Sequence, residues 1–155
     1  MNKTYYKPPI FWEQGKNYLV QKDKKLGRLI KSYPKDFLFT KSDPFLTLAR
    51  SIVGQQISVK AAQSVWDRLE IKIKKVSPQN IKKIHSNSLK SVGLSRQKVQ
   101  YLKNLSDAFI KNKIKIKLWS KMNDEEIIQD LVQIKGIGRW TAEMFLIFNL
   151  CRADV

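Results

Sequence analysis

Apolar residues along most of this chain recur every three or four positions, the period of helices that bury one face. The first such stretch runs from Ile10 to Val20, with Ile10, Phe11, Tyr18 and Leu19 as its expected anchors, and Pro8-Pro9 closes an N-terminal arm, residues 1–9, ahead of it. Leu26 to Tyr33 reads as a second, short helix. Ser42-Asp43-Pro44 offers a cap and a proline at the first helical position. Phe45, Leu46, Leu48, Ala49, Ile52 and Val53 then make a helix apolar nearly all round, which belongs at the centre of the core. Behind a Ser58 cap, Val59, Ala62, Val65, Trp66 and Leu69 form a stripe on a helix predicted to end by about Ile73. Ser77-Pro78 restarts a helix toward Ile84, Ser86 opens a short one, and Gly93 breaks the chain before Ser95 and a helix bearing Val99, Leu102, Leu105 and Phe109. Asn123 with Glu126 three residues on predicts a capping box for a helix through Ile127, Ile128 and Leu131, and a last helix is expected from Trp140 to about Arg152. Only KNKIKIKLW alternates like a strand; with no partner strand in sight, Ile110 to Lys117 reads as a loop. The prediction is an all-α fold with residues 10–155 as one helical domain.

The joint between the last two helices, Leu131 to Ala142 (LVQIKGIGRWTA), carries the most chemistry. An apolar helix end, a Gly-Ile-Gly turn and a new helix start describe a hairpin. Gly136 and Gly138 tolerate φ > 0 and carry no side chain, so a nucleic-acid backbone can come close to the peptide plane. The second helix aims unpaired N–H groups and the positive end of its dipole at the same place, which suits a phosphate and reads no sequence. The competing reading is a glycine helix stop between two packed helices.

Charge shifts that balance. Lys and Arg number 30 against 13 Asp and Glu, a formal net charge of +17, which favours a polyanionic partner over an acidic protein or a small metabolite. Many lysines, among them Lys72, Lys74, Lys75, Lys111, Lys113, Lys115 and Lys117, also fit plain solvated loops. At 155 residues and 43% hydrophobic content the chain suits one domain with a real core, or most of a slightly larger one. A single cysteine, Cys151, excludes an internal disulfide and a cysteine-ligated zinc or iron–sulfur site within the chain, and reads as core packing. No stretch resembles a signal peptide or a membrane span, so no membrane partner is expected and the location is cytoplasmic, at a bacterial nucleoid, or nuclear.

Three motifs in order, PFLTLARSIVGQQISVKAAQSVWDRL (Pro44 to Leu69), GLSRQKVQYL (Gly93 to Leu102) and IKGIGRWTAEMFL, resemble the 3-methyladenine DNA glycosylase II family of the helix-hairpin-helix superfamily. The likeness runs from about Trp12 to Val155, with the hairpin motif at about 123–151. The resemblance implies a helix-hairpin-helix DNA glycosylase fold and base-excision repair: an alkylated purine of the 3-methyladenine type is flipped out of double-stranded DNA and its N-glycosidic bond hydrolysed. Chemistry makes this reasonable, since a base inside the stack is unreachable and an alkylated purine is a cation that leaves easily and favours a π face. A monomer acting on DNA with alkylated bases is implied, with no cofactor beyond a structural K⁺ or Na⁺.

Residue by residue, the resemblance implies that the N–H groups of Gly136, Gly138 and Thr141 hold a phosphate and that the carbonyls of Val132, Ile134 and Ile137 bind the monovalent cation. Trp140 falls where lyase members of the superfamily carry a Schiff-base lysine, which implies a monofunctional enzyme with water as nucleophile and an indole lining the base pocket. A core role for that tryptophan stays open. Gln55 and Gln56, ahead of Ser58, sit in the turn that reaches into DNA, Gln56 being the better candidate to fill the gap; amides tying the loop to nearby backbone is the alternative. Ser95, Arg96 and Lys98 are candidate backbone contacts, or else a cap and solvated charges, and Arg139 is a candidate phosphate contact. Phe11 and Trp12 are secondary candidates for the base pocket, while Trp66 and Trp119 read as core. His85, with no acid or serine pattern near it, is assigned to the surface.

The family's catalytic aspartate belongs to a Pro-x-Asp-Asp or Pro-x-Gly-Asp turn a few residues past the hairpin motif, which places it beyond Val155 and leaves no catalytic residue expected in this chain. Asp154 is not taken as its replacement, because an acid there precedes the turn and caps or pairs locally. The helices that follow are expected to be missing, leaving part of the core uncovered and the chain with little or no activity. A non-catalytic helix-hairpin-helix protein that binds damaged or distorted DNA is the alternative. A mismatch glycosylase, which usually carries four C-terminal cysteines, is disfavoured by Trp140 and the QQIS turn.

Overall fold

The structure, a computed structural model, describes residues 8–39 and 43–155; most of the expected arm and the Ser42 position lie outside the described residues. All regular structure among the described residues is helical: α1 (Trp12–Lys22), α2 (Lys24–Ser32), α3 (Pro44–Gly54), α4 (Val59–Ile73), α5 (Pro78–Lys83), α6 (Ser86–Ser91), α7 (Arg96–Ile110), a 3₁₀ turn (Ile116–Lys121), α8 (Asp124–Val132) and α9 (Arg139–Phe148). Short side chains set most of the starts. Asp43 accepts from the Leu46 N–H ahead of Pro44, Ser58 from Ala61, Ser77 from Asn80 and Ser95 from Lys98, and Asn123 with Glu126 closes the predicted capping box. His85 is indeed on the surface, and its Nδ1 accepts from the Asn87 N–H as the cap of α6.

The apolar α3 is the central element, packed on α4, α7 and α9, with Leu48, Ala49 and Ile52 fully enclosed. Phe45 meets Phe109 edge-on at 5.2 Å between ring centroids, and Trp119 meets Phe145 at the same separation. Trp66 and Trp119 are core residues as expected. No helix among the described residues is long and apolar enough to cross a membrane.

Three expectations need correction. The anchors of the first helix hold only weakly: Ile10, Tyr18 and Leu19 are exposed, Phe11 is half-buried and α1 buries no residue, α2 being its main helical neighbour among the described residues. The lysine-rich stretch is not loop throughout. Its end winds into the 3₁₀ turn because the buried Asp130 carboxylate draws in the Lys115 N–H at 2.7 Å and the Trp119 indole N–H at 2.8 Å, while Ile114 is buried beside them. The last helix stops at Phe148 rather than near Arg152. There the chain turns through a left-handed Cys151 (φ 51°), itself half-buried, and the Arg152 guanidinium donates to the carbonyls of Trp119 and Met122.

Candidate nucleic-acid interface

The hairpin between α8 and α9 stands at the surface. Gly138 is exposed, Gly136 is half-buried, and their neighbours Ile134 and Ile137 turn inward as apolar anchors. The α9 start lacks the side-chain cap that starts α2 through α8, since Gly138 is its N-cap residue. Within the turn the Ile137 N–H donates to the Ile134 carbonyl and the Ala142 N–H to that of Gly138. Among the described residues, the amides of Gly136, Gly138 and Thr141 donate to no carbonyl or side chain. A positive helix end with unspent donors therefore faces outward.

The two glycines have different reasons to be there. Gly136 has φ +114°, and a Cβ at that position would lie 2.3 Å from Cγ of Tyr101, whose ring on α7 backs the turn. Gly138 has φ −93°, an ordinary extended residue, so the expectation of φ > 0 holds for Gly136 alone. A Cβ at Gly138 would meet nothing within 4 Å. The space in front of it is open to an incoming molecule.

A cleft of about 400 Å³ lies beside the turn, lined by Gln55, Gln56, Ser95, Gln97, Lys98, Tyr101 and the Gly136 to Gly138 segment. The helix ends predicted separately as DNA contacts thus converge. Their side chains are not all available, however. Gln55, at the C-terminal cap of α3, donates from Nε2 to the Gly136 carbonyl at 3.0 Å, which makes it a tie within the protein rather than an outward probe. Gln56 is exposed at the tip of the same turn with φ 57°, a conformation most side chains avoid. Lys98 sends its Nζ to the Val53 carbonyl at 2.7 Å, and burial lowers its pKa; Ser95 caps α7, and Arg96 is exposed.

Arg139 departs furthest from the expected phosphate contact. Its guanidinium holds both carboxylate oxygens of Glu125, at 3.1 and 2.8 Å, and Glu143 at 2.9 Å. The exposed pair raises the Arg139 pKa and lowers that of Glu125, in each case chiefly through the hydrogen bond between them. An arginine directly after a positively polarised turn thereby gains two local acids, as charge balance favours. Trp140 is 67% exposed, an unusual state for an indole, and projects from the first turn of α9. Phe11 and Trp12 are half-buried at the start of α1, where the Trp12 indole donates to the Asp36 carbonyl; neither they nor Trp140 line the cleft. Tyr101 is a functional candidate that the motifs do not single out, although its place three residues past Lys98 in the Gly93 to Leu102 motif is a signal for it.

Residues 49–143, from inside α3 through the first half of α9, match the family described as HhH-GPD superfamily base excision DNA repair protein. The chain belongs to that family. The HhH-GPD match spans the glutamine turn, the start of α7 and the whole hairpin. Among relatives, the DNA-3-methyladenine glycosylase 1 of Schizosaccharomyces pombe is 35% identical over 140 residues, 85% of this chain and 60% of that protein. The DNA-3-methyladenine glycosylase of Saccharomyces cerevisiae is 36% identical over 157 residues, 89% of this chain and 52% of that protein. The chain thus spans little more than half the length of these relatives. Among solved structures, the S. pombe 3-methyladenine DNA glycosylase in complex with abasic DNA superposes with a TM-score of 0.78 at 31% identity, covering 92% of this chain and 72% of that one. The helix-hairpin-helix fold and the resemblance to 3-methyladenine glycosylases expected from the motifs are both borne out.

Proposed function

We propose that this chain is the DNA-gripping part of a base-excision glycosylase for alkylated purines, acting as a monomer on double-stranded DNA in the nucleoid or nucleus. One observation carries the reading: the glycine turn and the start of α9 hold three unspent amides, and Trp140, two residues past Gly138, is two-thirds exposed among them. The amides of Gly136, Gly138 and Thr141 hold a backbone phosphate while Gln56 enters the gap left by an extruded nucleotide. The cationic alkylated purine lies on the Trp140 indole. A monovalent cation suits the carbonyls behind the turn: those of Val132 and Ile137 accept no main-chain hydrogen bond among the described residues, and that of Ile134 accepts one. K⁺ or Na⁺ held there would add positive charge beside the phosphate.

Hydrolysis breaks the C1′–N bond, the electron pair leaving with the base while water oxygen bonds to C1′ and gives up a proton; a carboxylate must support the sugar cation and take that proton. The acids of the hairpin are engaged elsewhere. Asp124 pairs with Arg152, Glu125 and Glu143 with Arg139, and Asp130 is buried on Trp119. This favours binding by the 155-residue chain without appreciable base release. The test is fluorescence anisotropy with a duplex carrying an abasic analogue beside an undamaged one, together with base release from methylated DNA. Trp140→Ala should keep the fold and lose the preference for the damaged duplex. Equal, salt-insensitive binding of any polyanion would refute the clamp, and rapid base release abolished by Asp154→Asn would restore Asp154 as the catalytic acid.

A further inference from the structure

The glycine turn is held from behind by side-chain amides on two other helices. Asn104 of α7 donates from Nδ2 to the Lys135 carbonyl at 3.2 Å, and its Oδ1 accepts from Gln100 Nε2 at 3.0 Å. Gln55 of α3 takes the next carbonyl, that of Gly136. The Tyr101 ring, one residue before Leu102 on the same α7, fills the space where any side chain at position 136 would stand. Asn104, Gln100 and Tyr101 are not among the contacts the motifs suggest, whereas Gln55 is, with a tie to nearby backbone as its alternative.

Peptide geometry turns these ties into a function. The described chain has no cis peptide, so the Lys135 carbonyl and the Gly136 N–H belong to one trans unit and point in opposite directions. Holding the carbonyl toward α7 sends the N–H away from it, where it has no internal partner. The Gln55 bond fixes the following unit, whose N–H closes onto Ile134. We infer that Asn104, supported by Gln100 and Gln55, is a positioning residue that sets the outward aim of the Gly136 amide. A glycine at φ +114° could otherwise rotate that plane at little cost. The inference rests on the DNA-binding reading for its purpose, though not for its geometry. The chain of amides from Gln100 through Asn104 to the turn also polarises the peptide unit, strengthening its N–H as a donor to an anion.

The test uses Asn104→Ala and Asn104→Asp, both at a half-exposed position, in ¹⁵N-labelled protein. In the absence of DNA, loss of the bond to the Lys135 carbonyl should move the Gly136 amide resonance while most others stay in place. With a short duplex carrying an abasic analogue, affinity should fall about threefold to tenfold, the value of one neutral hydrogen bond, with the melting temperature nearly unchanged. An unmoved Gly136 resonance together with parental affinity in both variants would overturn the inference. Should the parent chain fail to bind the duplex, the DNA reading falls, and the resonance of the DNA-free protein still decides the geometry.

Discussion

A single methyl group distinguishes the two hairpin glycines. In Gly136→Ala the new carbon falls 2.3, 2.6 and 2.8 Å from Cγ, Cβ and Cδ1 of Tyr101, and the residue must keep φ +114°. Strain at such a φ costs about 1–3 kcal/mol, and forcing a methyl into occupied space about 1–3 kcal/mol more. The two overlap, since one shift of the turn relieves part of each. A net loss of about 3 kcal/mol is a large share of the ~5–15 kcal/mol typical of a domain and lowers the melting temperature by roughly 6–12 °C. In Gly138→Ala the carbon meets nothing within 4 Å and φ is −93°. Reduced freedom of the unfolded chain then stabilises by about 0.4–1 kcal/mol, offset by the poorer helix-capping of alanine, so the melting temperature should barely move. Duplex affinity should nevertheless fall several-fold, because the methyl occupies the approach to the unspent amides. Circular-dichroism melts and anisotropy titrations of both variants read the two effects apart. A Gly136→Ala protein that melts with the parent would refute the account of Tyr101, and a Gly138→Ala protein with parental affinity would remove the hairpin from the interface.

Asp130→Ala strands the Trp119 indole and the Lys115 amide, two donors in or beside the core, and should cost about 2–4 kcal/mol in urea unfolding; a variant within experimental error of the parent would show that water satisfies them. Duplex binding by a chain of net charge +17 should weaken steeply as salt rises, and a flat response would show that the charge serves something other than DNA. Glu125→Gln loosens Arg139 from its two-point tie, so binding should tighten at low salt with a salt slope steeper by about one phosphate; unchanged binding would place Arg139 out of reach of the backbone. Hydrogen bonds from Arg139 and then Gln129 hold the Glu125 pKa below the ordinary carboxylate range. The pair is therefore whole at neutral pH and dissolves only as pH falls through that lowered value. Any difference between parent and Glu125→Gln should accordingly persist at pH 7 and vanish in acid.

What the residues announced and what they withheld divide along one line. Signals that depend on neighbours in sequence were legible: Asn123 with Glu126, Ser58 and Ser95 as caps, the apolar surround of α3 and the glycine turn itself all follow from spacing within one or two helical turns. Signals that depend on a distant partner were not. Nothing near Gln55 indicates a carbonyl 81 positions away, and nothing near Arg139 chooses Glu125 over a phosphate. The α1 stripe misled for the same reason, since a 3.6-residue period reports a face fit for burial and not whether another element covers it. The consequence bears on the clamp. Its glycines could be read locally, but the groups that tie or back the turn, Gln55, Tyr101 and Asn104, come from the end of α3 and from α7, so on the proposed reading a grip on phosphate depends on those two helices as well as on the hairpin. A hairpin peptide cut out at residues 123–151 would keep both glycines and lose every one of those ties, and its affinity for duplex should fall far below that of the chain.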